Sequence, residues 1–169
     1  PGRHNLTVMG RTADYSRQSC PIAATLEVVG DPWTLLILRD AFNGVRRFEQ
    51  WQERLGVARN VLASRLKALV AHGVLEPRQY SERPPRQEYL LTAKGRELRP
   101  VLLTLYDWGE RHVYGEGRAP NHMTPNGHAF RPKLVCATCD EVVGDRELRR
   151  VDQPSDHPTV GEALARAVA

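Results

Sequence analysis

Between Ala58 and Ala71 the apolar residues return at helical spacing, and this stretch constrains the fold more than any other. At about 100° per residue, Ala58, Leu62, Leu66 and Leu69 gather on one face, with Val61 and Val70 at its edges. Asn60, Ser64 and Lys67 point the opposite way. Arg59 and Arg65 fall on the borders, where a guanidinium can reach a phosphate while its stem lies along the protein. A helix of this kind packs on one side and offers amide, hydroxyl and ammonium groups on the other. Those chemistries meet base edges and phosphates, but a plain solvated face carries them too. The neighbouring segments therefore decide between the two.

Upstream, Phe48, Trp51 and Leu55 recur at i, i+3 and i+7, which predicts a short amphipathic helix ending at Gly56. Downstream, Gly73 supplies a helix stop, and Leu75 to Tyr80 and Arg86 to Thr92 read as two short strands. Pro84 and Pro85 cannot donate to a ladder and belong at the tip between them, surrounded by Arg78, Arg83 and Arg86. Helix, tight turn, helix and arginine-tipped hairpin make a winged helix-turn-helix. An ordinary surface hairpin is the alternative for the wing. Arg46 and Arg47, just before the first helix of the pair, are placed to clamp backbone phosphate.

Charge follows the same division. The whole chain carries 24 Lys plus Arg against 20 Asp plus Glu, a net of only +4, yet residues 39 to 100 carry 13 basic and 7 acidic groups. The excess sits where the helices and wing sit, so a polyanion is the expected partner and binding should weaken with salt. Ahead of this region, Pro21 to Val29 reads as an amphipathic helix. Asp31 and Pro32 read as the N-cap and first residue of an almost continuously apolar helix, Trp33 to Phe42, buried at the domain centre.

From Cys20 to about Tyr114 the sequence resembles the HxlR-type bacterial winged helix-turn-helix regulators. The pieces that carry the likeness are Cys20-Pro21, GDPWTLLILRD, RRFEQ, ARNVLASRLKALVAHGVL and YSERPPRQEYLLTAKG, in that order. The resemblance implies a homodimeric transcriptional regulator on a palindromic operator, most often a repressor. It places the helix of residues 58 to 71 in the major groove and the terminal helices in the dimer. The residues agree on the last point. Leu98, Val101, Leu102, Leu105 and Trp108 line one face of a helix expected from about Ala93 to Tyr114, too apolar a stripe for a lone helix. Packing against its own domain is the alternative. A two-fold pair would set two recognition helices about 34 Å apart, one turn of duplex.

The expected DNA contacts are thus Arg46, Arg47, Arg59, Asn60, Ser64, Arg65, Lys67, Arg83 and Arg86. The expected fold class is mainly α with a small β-wing, an α+β winged helix-turn-helix with a long C-terminal dimerisation helix and a small CxxC-containing appendage. Expected boundaries are a flexible segment over residues 1–19, the winged domain over 20–114, a Gly- and Pro-rich linker over 115–132, and a ribbon-like appendage over 133–169. Thr159 and Glu162 stand at capping-box spacing and predict a final short helix.

Three cysteines, with neither a secretory leader nor an apolar run long enough to span a bilayer, lead us to expect a reducing cytoplasm and no membrane. Cys20 precedes the proline that opens a helix, where the helix dipole and Arg17 could favour a thiolate. It reads either as a thiol switch for oxidants or electrophiles, as in some members of the family, or as packing. Cys136 and Cys139 have the spacing of half a zinc ribbon. They read as a zinc site completed from elsewhere, as a redox pair, or as a turn that has lost its ion; no other cofactor is expected. Trp33, Tyr106 and Trp108 could line a small-molecule effector pocket, though aromatics at helical spacing are more often core. No phosphate loop, metalloprotease motif or nucleophile elbow occurs, so an enzyme is not expected. A winged helix used for protein or RNA binding is the rival to duplex DNA.

Overall fold

Two prolines open the helical framework. Pro21 and Pro32 occupy the first turns of α1 (Pro21–Val29) and α2 (Pro32–Phe42), where a missing N–H goes unneeded. Asp31 caps α2 as its spacing predicts, its Oδ1 accepting the Trp33 N–H at 3.0 Å. Next comes α3 (Phe48–Leu55), closed by Gly56 at φ 62, a left-handed conformation that costs glycine little. Then follow α4 (Arg59–Ala71), β1 (Leu75–Glu82), β2 (Pro85–Leu91), α5 (Ala93–Arg96), α6 (Arg99–Gly109) running into a π-helical turn (Glu110–Tyr114), and α7 (Val160–Ala167). The computed structural model describes residues 14–115, 125–144 and 157–167. They form two compact units, one of residues 14–97 with 157–167, the other of the described residues from 98 to 144.

In the first unit, Ile37 and Leu38 of α2, Trp51 of α3 and Leu62, Leu66 and Leu69 of α4 share a core with Val74 and Leu75. Trp51 is completely buried, and its indole N–H would be costly there without an acceptor; the Ile37 carbonyl accepts it at 3.2 Å. Truncating any of the buried α4 leucines to alanine should cost about 2–5 kcal/mol. Ala58, expected on the packed face, is the exposed N-cap residue of α4 instead, because the first turn extends beyond that core.

The wing is a two-stranded antiparallel sheet pairing Leu75 with Leu91 at its base and Glu82 with Pro85 at its tip. Both strands run closer to the tip than their residue types suggest. Pro85 opens β2, one of the few strand positions that tolerates proline. The chain leading into α3 lies along this sheet: the Tyr89 N–H donates to the Arg46 carbonyl at 2.8 Å, and the backbones of Arg47 and Glu88 pair as a one-residue antiparallel bridge. At the base, Thr92 caps α5 through its Oγ1, which accepts the Gly95 N–H at 3.0 Å.

The tail also joins this unit. Thr159 and Glu162 form the expected reciprocal cap, with the Thr159 N–H to Glu162 Oε2 distance at 2.8 Å. Val160 and Gly161 then donate to the carbonyls of Gln18 and Ser16 at 2.7 and 3.0 Å, and α7 packs on α1. The expected appendage of residues 133–169 is therefore divided, its last helix belonging with the N-terminal helices.

The single helix expected from Ala93 to Tyr114 is also divided. Pro100 lacks the N–H that would bond four residues back, so α5 stops and α6 begins anew with proline in its first turn. Within the second unit, the segment that reads as linker is tied down at Arg131. Its guanidinium bonds Asp107 at 3.2 Å and Glu110 at 2.9 Å, while Arg111 Nε reaches Asp107 at 2.9 Å. Burial opposes ionisation of Asp107, but the hydrogen bonds from Arg111 and Arg131 outweigh it and hold the carboxyl below its ordinary 3.8. Beyond Arg131, a small hairpin pairs Val135 with Val142.

Candidate nucleic-acid interface

Along α4, burial separates the faces as the sequence pattern requires. Leu62, Leu66 and Leu69 are buried while Arg59, Asn60, Ala63, Ser64 and Lys67 are exposed. Small Ala63 and Ser64 keep the exposed face low, so neighbouring long side chains can approach a groove floor. Asn60 and Ser64, four residues apart, sit one above the other with Lys67 a turn further on.

Arg65 does not belong to that face. Its side chain is 9% exposed, and Nη2 lies 2.9 Å from Asp31 Oδ2. The carboxylate that caps α2 thus also anchors α4, and a guanidinium turned inward to it is unavailable to phosphate. We therefore remove Arg65 from the expected DNA contacts and assign it to the helix–helix joint.

The other arginines are positioned by identifiable contacts. Gln50 Oε1 accepts the backbone N–H groups of Arg46 and Arg47 at 3.3 and 3.0 Å, fixing the entry to α3. Arg47 stacks over the Tyr80 ring of the wing at 4.4 Å, and Arg59 over Phe48 at 5.0 Å while bonding Gln52 at 2.7 Å. Arg83 and Arg86 are exposed at the wing tip, and neither they nor Lys67 nor the side chain of Arg46 has an acidic partner among the described residues. Arg78, expected near the tip with them, instead lies at the middle of β1 and bonds Glu88 across the ladder through Nε at 2.8 Å. A shallow cleft of about 330 Å³ separates the start of α3 from the wing, with Phe48, Tyr80, Tyr89 and Arg86 on its walls.

Several cations counted in the basic segment are therefore internal. Arg39 and Arg54 serve the fully buried Asp40, at 2.9 and 3.5 Å, Arg65 serves Asp31, and Arg78 serves Glu88. What remains outward is a compact set on the α3 entrance, α4 and the wing. Gln50 could have been found from sequence, since it stands at the capping-box position behind Arg47. Asp40 and the Asp31–Arg65 pair carry no local signal.

In the second unit, the expected apolar stripe is exposed on α6. Leu98 and Leu102 are half-buried, Val101 is exposed, and Leu105 and Trp108 are 49% and 57% exposed. Elsewhere, Cys20 is half-buried at the N-cap of α1. Cys136 and Cys139 lie on the turn of the small hairpin. N–H groups of Thr138 and Cys139, with the Cys139 thiol, lower the Cys136 thiol to about 7.

A family model for HxlR-like helix-turn-helix proteins matches residues 28–116, which include the helix pair, the wing and α6. The chain belongs to the HxlR-like helix-turn-helix family. Its relatives include Rv3095 of Mycobacterium tuberculosis, an HTH-type transcriptional regulator 42% identical over 130 residues, 75% of this chain and 82% of that protein. The regulator sll1512 of Synechocystis is 40% identical, over 64% of this chain and 81% of its own length. Among solved structures, PA1607, described as a candidate transcription factor, matches with a TM-score of 0.71 at 36% identity, covering 82% of this chain and 99% of that one. The redox regulator HypR in its reduced form matches at 0.51 and 31% identity, over 53% of this chain and 90% of its own. This HxlR-like protein is accordingly a transcriptional regulator with a winged helix-turn-helix DNA-binding domain, as its relatives are HTH-type transcriptional regulators. Among its described residues no single helix is long and apolar enough to cross a membrane.

Proposed function

We propose that this regulator acts as a homodimeric repressor that occupies a palindromic operator, α4 reading the major groove and the wing gripping the backbone beside it. The observation that carries the reading is the exposed row of Asn60, Ser64 and Lys67, flanked by the outward Arg46, Arg83 and Arg86. An amide can make a bidentate contact to adenine and a lysine can reach guanine acceptors, whereas arginines on a hairpin meet phosphates of any sequence. The exposed α6 stripe supports a two-fold partner, because an isolated helix gains nothing by presenting Val101, Leu105 and Trp108 to water.

The test is operator selection from genomic DNA, followed by fluorescence anisotropy on the selected duplex and a scrambled one. Alanine at Asn60, Ser64 or Lys67 should change the preferred sequence, each lost base contact being worth about 1–3 kcal/mol. Alanine at Arg46, Arg83 or Arg86 should weaken both duplexes alike and flatten the salt dependence. Equal affinity of the unmodified protein for both duplexes would refute the reading and favour a protein- or RNA-binding module.

Control by thiol chemistry is a second part of the proposal, supported by the likeness to the redox regulator HypR and by the half-buried Cys20 at a helix start. In this reading the Cys20 thiolate adds to an electrophilic carbon such as that of a quinone, forming an S–C bond while the adduct takes up the proton. Repacking around the start of α1 then releases DNA. If Cys20→Ser protein loses its operator on quinone treatment as readily as the unmodified protein, this part fails.

A further inference from the structure

The hairpin of residues 134–143 is closed by main-chain hydrogen bonds around the CATC segment. The Cys136 N–H donates to the Glu141 carbonyl at 2.9 Å, the Val143 N–H to Leu134 at 2.9 Å, and the Asp140 N–H to the Cys136 carbonyl at 2.8 Å. Asp140, immediately after the second cysteine, is at φ 58, the one non-glycine residue with positive φ among those described. Such a conformation is uncommon outside glycine and is held here by the turn. The bond from Asp140 back to Cys136 thus sets both cysteines within one tight turn. Cys139 Sγ in turn lies 3.8 Å from Glu141 Oε2.

Two features argue that this turn is shaped for a cation. Two cysteines three residues apart on one closed turn, with a left-handed residue directly after the second, have the spacing and setting with which a sulfur pair holds two corners of a tetrahedral cation site. The hairpin also has no core: Leu134, Val135 and Val142 are 64%, 51% and 57% exposed. A two-stranded hairpin this small is marginal in water, and small elements lacking a core are commonly stapled by a metal.

We infer that Cys136 and Cys139 form the thiolate half of a tetrahedral site for a thiophilic divalent cation of the zinc class. No cluster of three or more His, Cys, Asp or Glu side chains occurs among the described residues, and a tetrahedral site would need two further donors. Binding is not a redox step: each thiol gives one proton to solvent as its sulfur bonds the cation, two protons for each pair engaged. Occupancy consequently falls as pH is lowered.

The experiment uses the full chain, reduced with a phosphine, stripped with a chelator and titrated with cobalt(II) as a spectroscopic stand-in. The expected result is a thiolate-to-cobalt charge-transfer band with tetrahedral ligand-field bands, bleached by zinc. The bands should be absent in the Cys136→Ser/Cys139→Ser double variant and kept in Cys20→Ser. Saturation at one cobalt per chain supports the site with donors from the same chain. Saturation at one per two chains supports it with a second copy completing it. Should the double variant fold poorly, mass spectrometry of the unmodified protein after alkylation decides: zinc should shield Cys136 and Cys139 and leave Cys20 reactive. Absence of a charge-transfer band, bands that depend on Cys20, or zinc that shields neither hairpin cysteine would overturn the inference.

Discussion

Replacing Arg65 by methionine separates two accounts of that side chain. The substitution keeps an apolar stem in the core but removes the guanidinium, so Asp31 loses its contact at 2.9 Å while still accepting the Trp33 N–H. A charge-assisted hydrogen bond is worth about 1.5–3 kcal/mol. Two features reduce this: Asp31 keeps 20% side-chain exposure, which lets water replace part of the contact, and Arg65 Nε already lacks an acceptor. The expected loss is about 2 kcal/mol, which at a urea slope of about 1–3 kcal/mol/M moves the unfolding midpoint by roughly 1 M. Asp31→Ala should cost more, about 3–4 kcal/mol, because it removes the cap and strands a nearly buried cation. The double variant should cost about 2 kcal/mol less than the two changes added together. All unfolding should be measured at one protein concentration, since any self-association would contribute to stability. At concentrations where the protein stays folded, Arg65→Met should retain its affinity for DNA within about twofold, a difference of well under 1 kcal/mol. Unchanged stability with a uniform loss of affinity for every duplex would refute the inward assignment and restore the phosphate contact.

Three other perturbations test other parts of the structure. Leu105→Glu puts a charge at the centre of the α6 stripe and should weaken self-association tenfold or more, about 1.4 kcal/mol, in sedimentation velocity; persistence of an unweakened dimer would place the interface elsewhere. Gly95→Ala would bring a Cβ to 2.2 Å from the Val74 carbonyl oxygen, so thermal melts should show destabilisation of about 1–3 kcal/mol. For Asp107, the folded carboxyl titrates below the ordinary 3.8, so its stabilising effect is full above that pH and fades as pH falls through the lowered value. Urea titrations across that acid range should show a shallower decline for Asp107→Asn than for the unmodified protein.

Much of the DNA-binding half was legible because its elements have strong periods and local punctuation. Asp31 with Pro32, Gly56 after Leu55, and Thr159 with Glu162 announce their helix ends within four residues. What sequence periodicity could not settle is where a side chain near the edge of a helix turns. Arg65 lies only about 60° around the helix from Leu62, and its partner is an aspartate in another helix. Periodicity likewise made one long helix of residues 93 to 114, although Pro100 interrupts the backbone bonding while leaving the apolar spacing intact. Asp107 and Glu110 look like a wet helix face until Arg131, beyond the turn, closes over them. For Arg65 and for Asp107 with Glu110 the deciding contact is distant in sequence and made by charge, which leaves no trace in hydrophobic spacing.

The bond from the Tyr89 N–H to the Arg46 carbonyl carries an implication for how such a regulator can diverge. That bond is made by main-chain atoms, so exchanging the Arg46 or Tyr89 side chain does not remove it. Arginines can be gained, lost or shifted along the hairpin without altering the angle at which it meets the duplex. Changes of operator preference can therefore accumulate by single substitutions on a mount of constant geometry, whereas an insertion between Val45 and Phe48 would tilt the whole reading head.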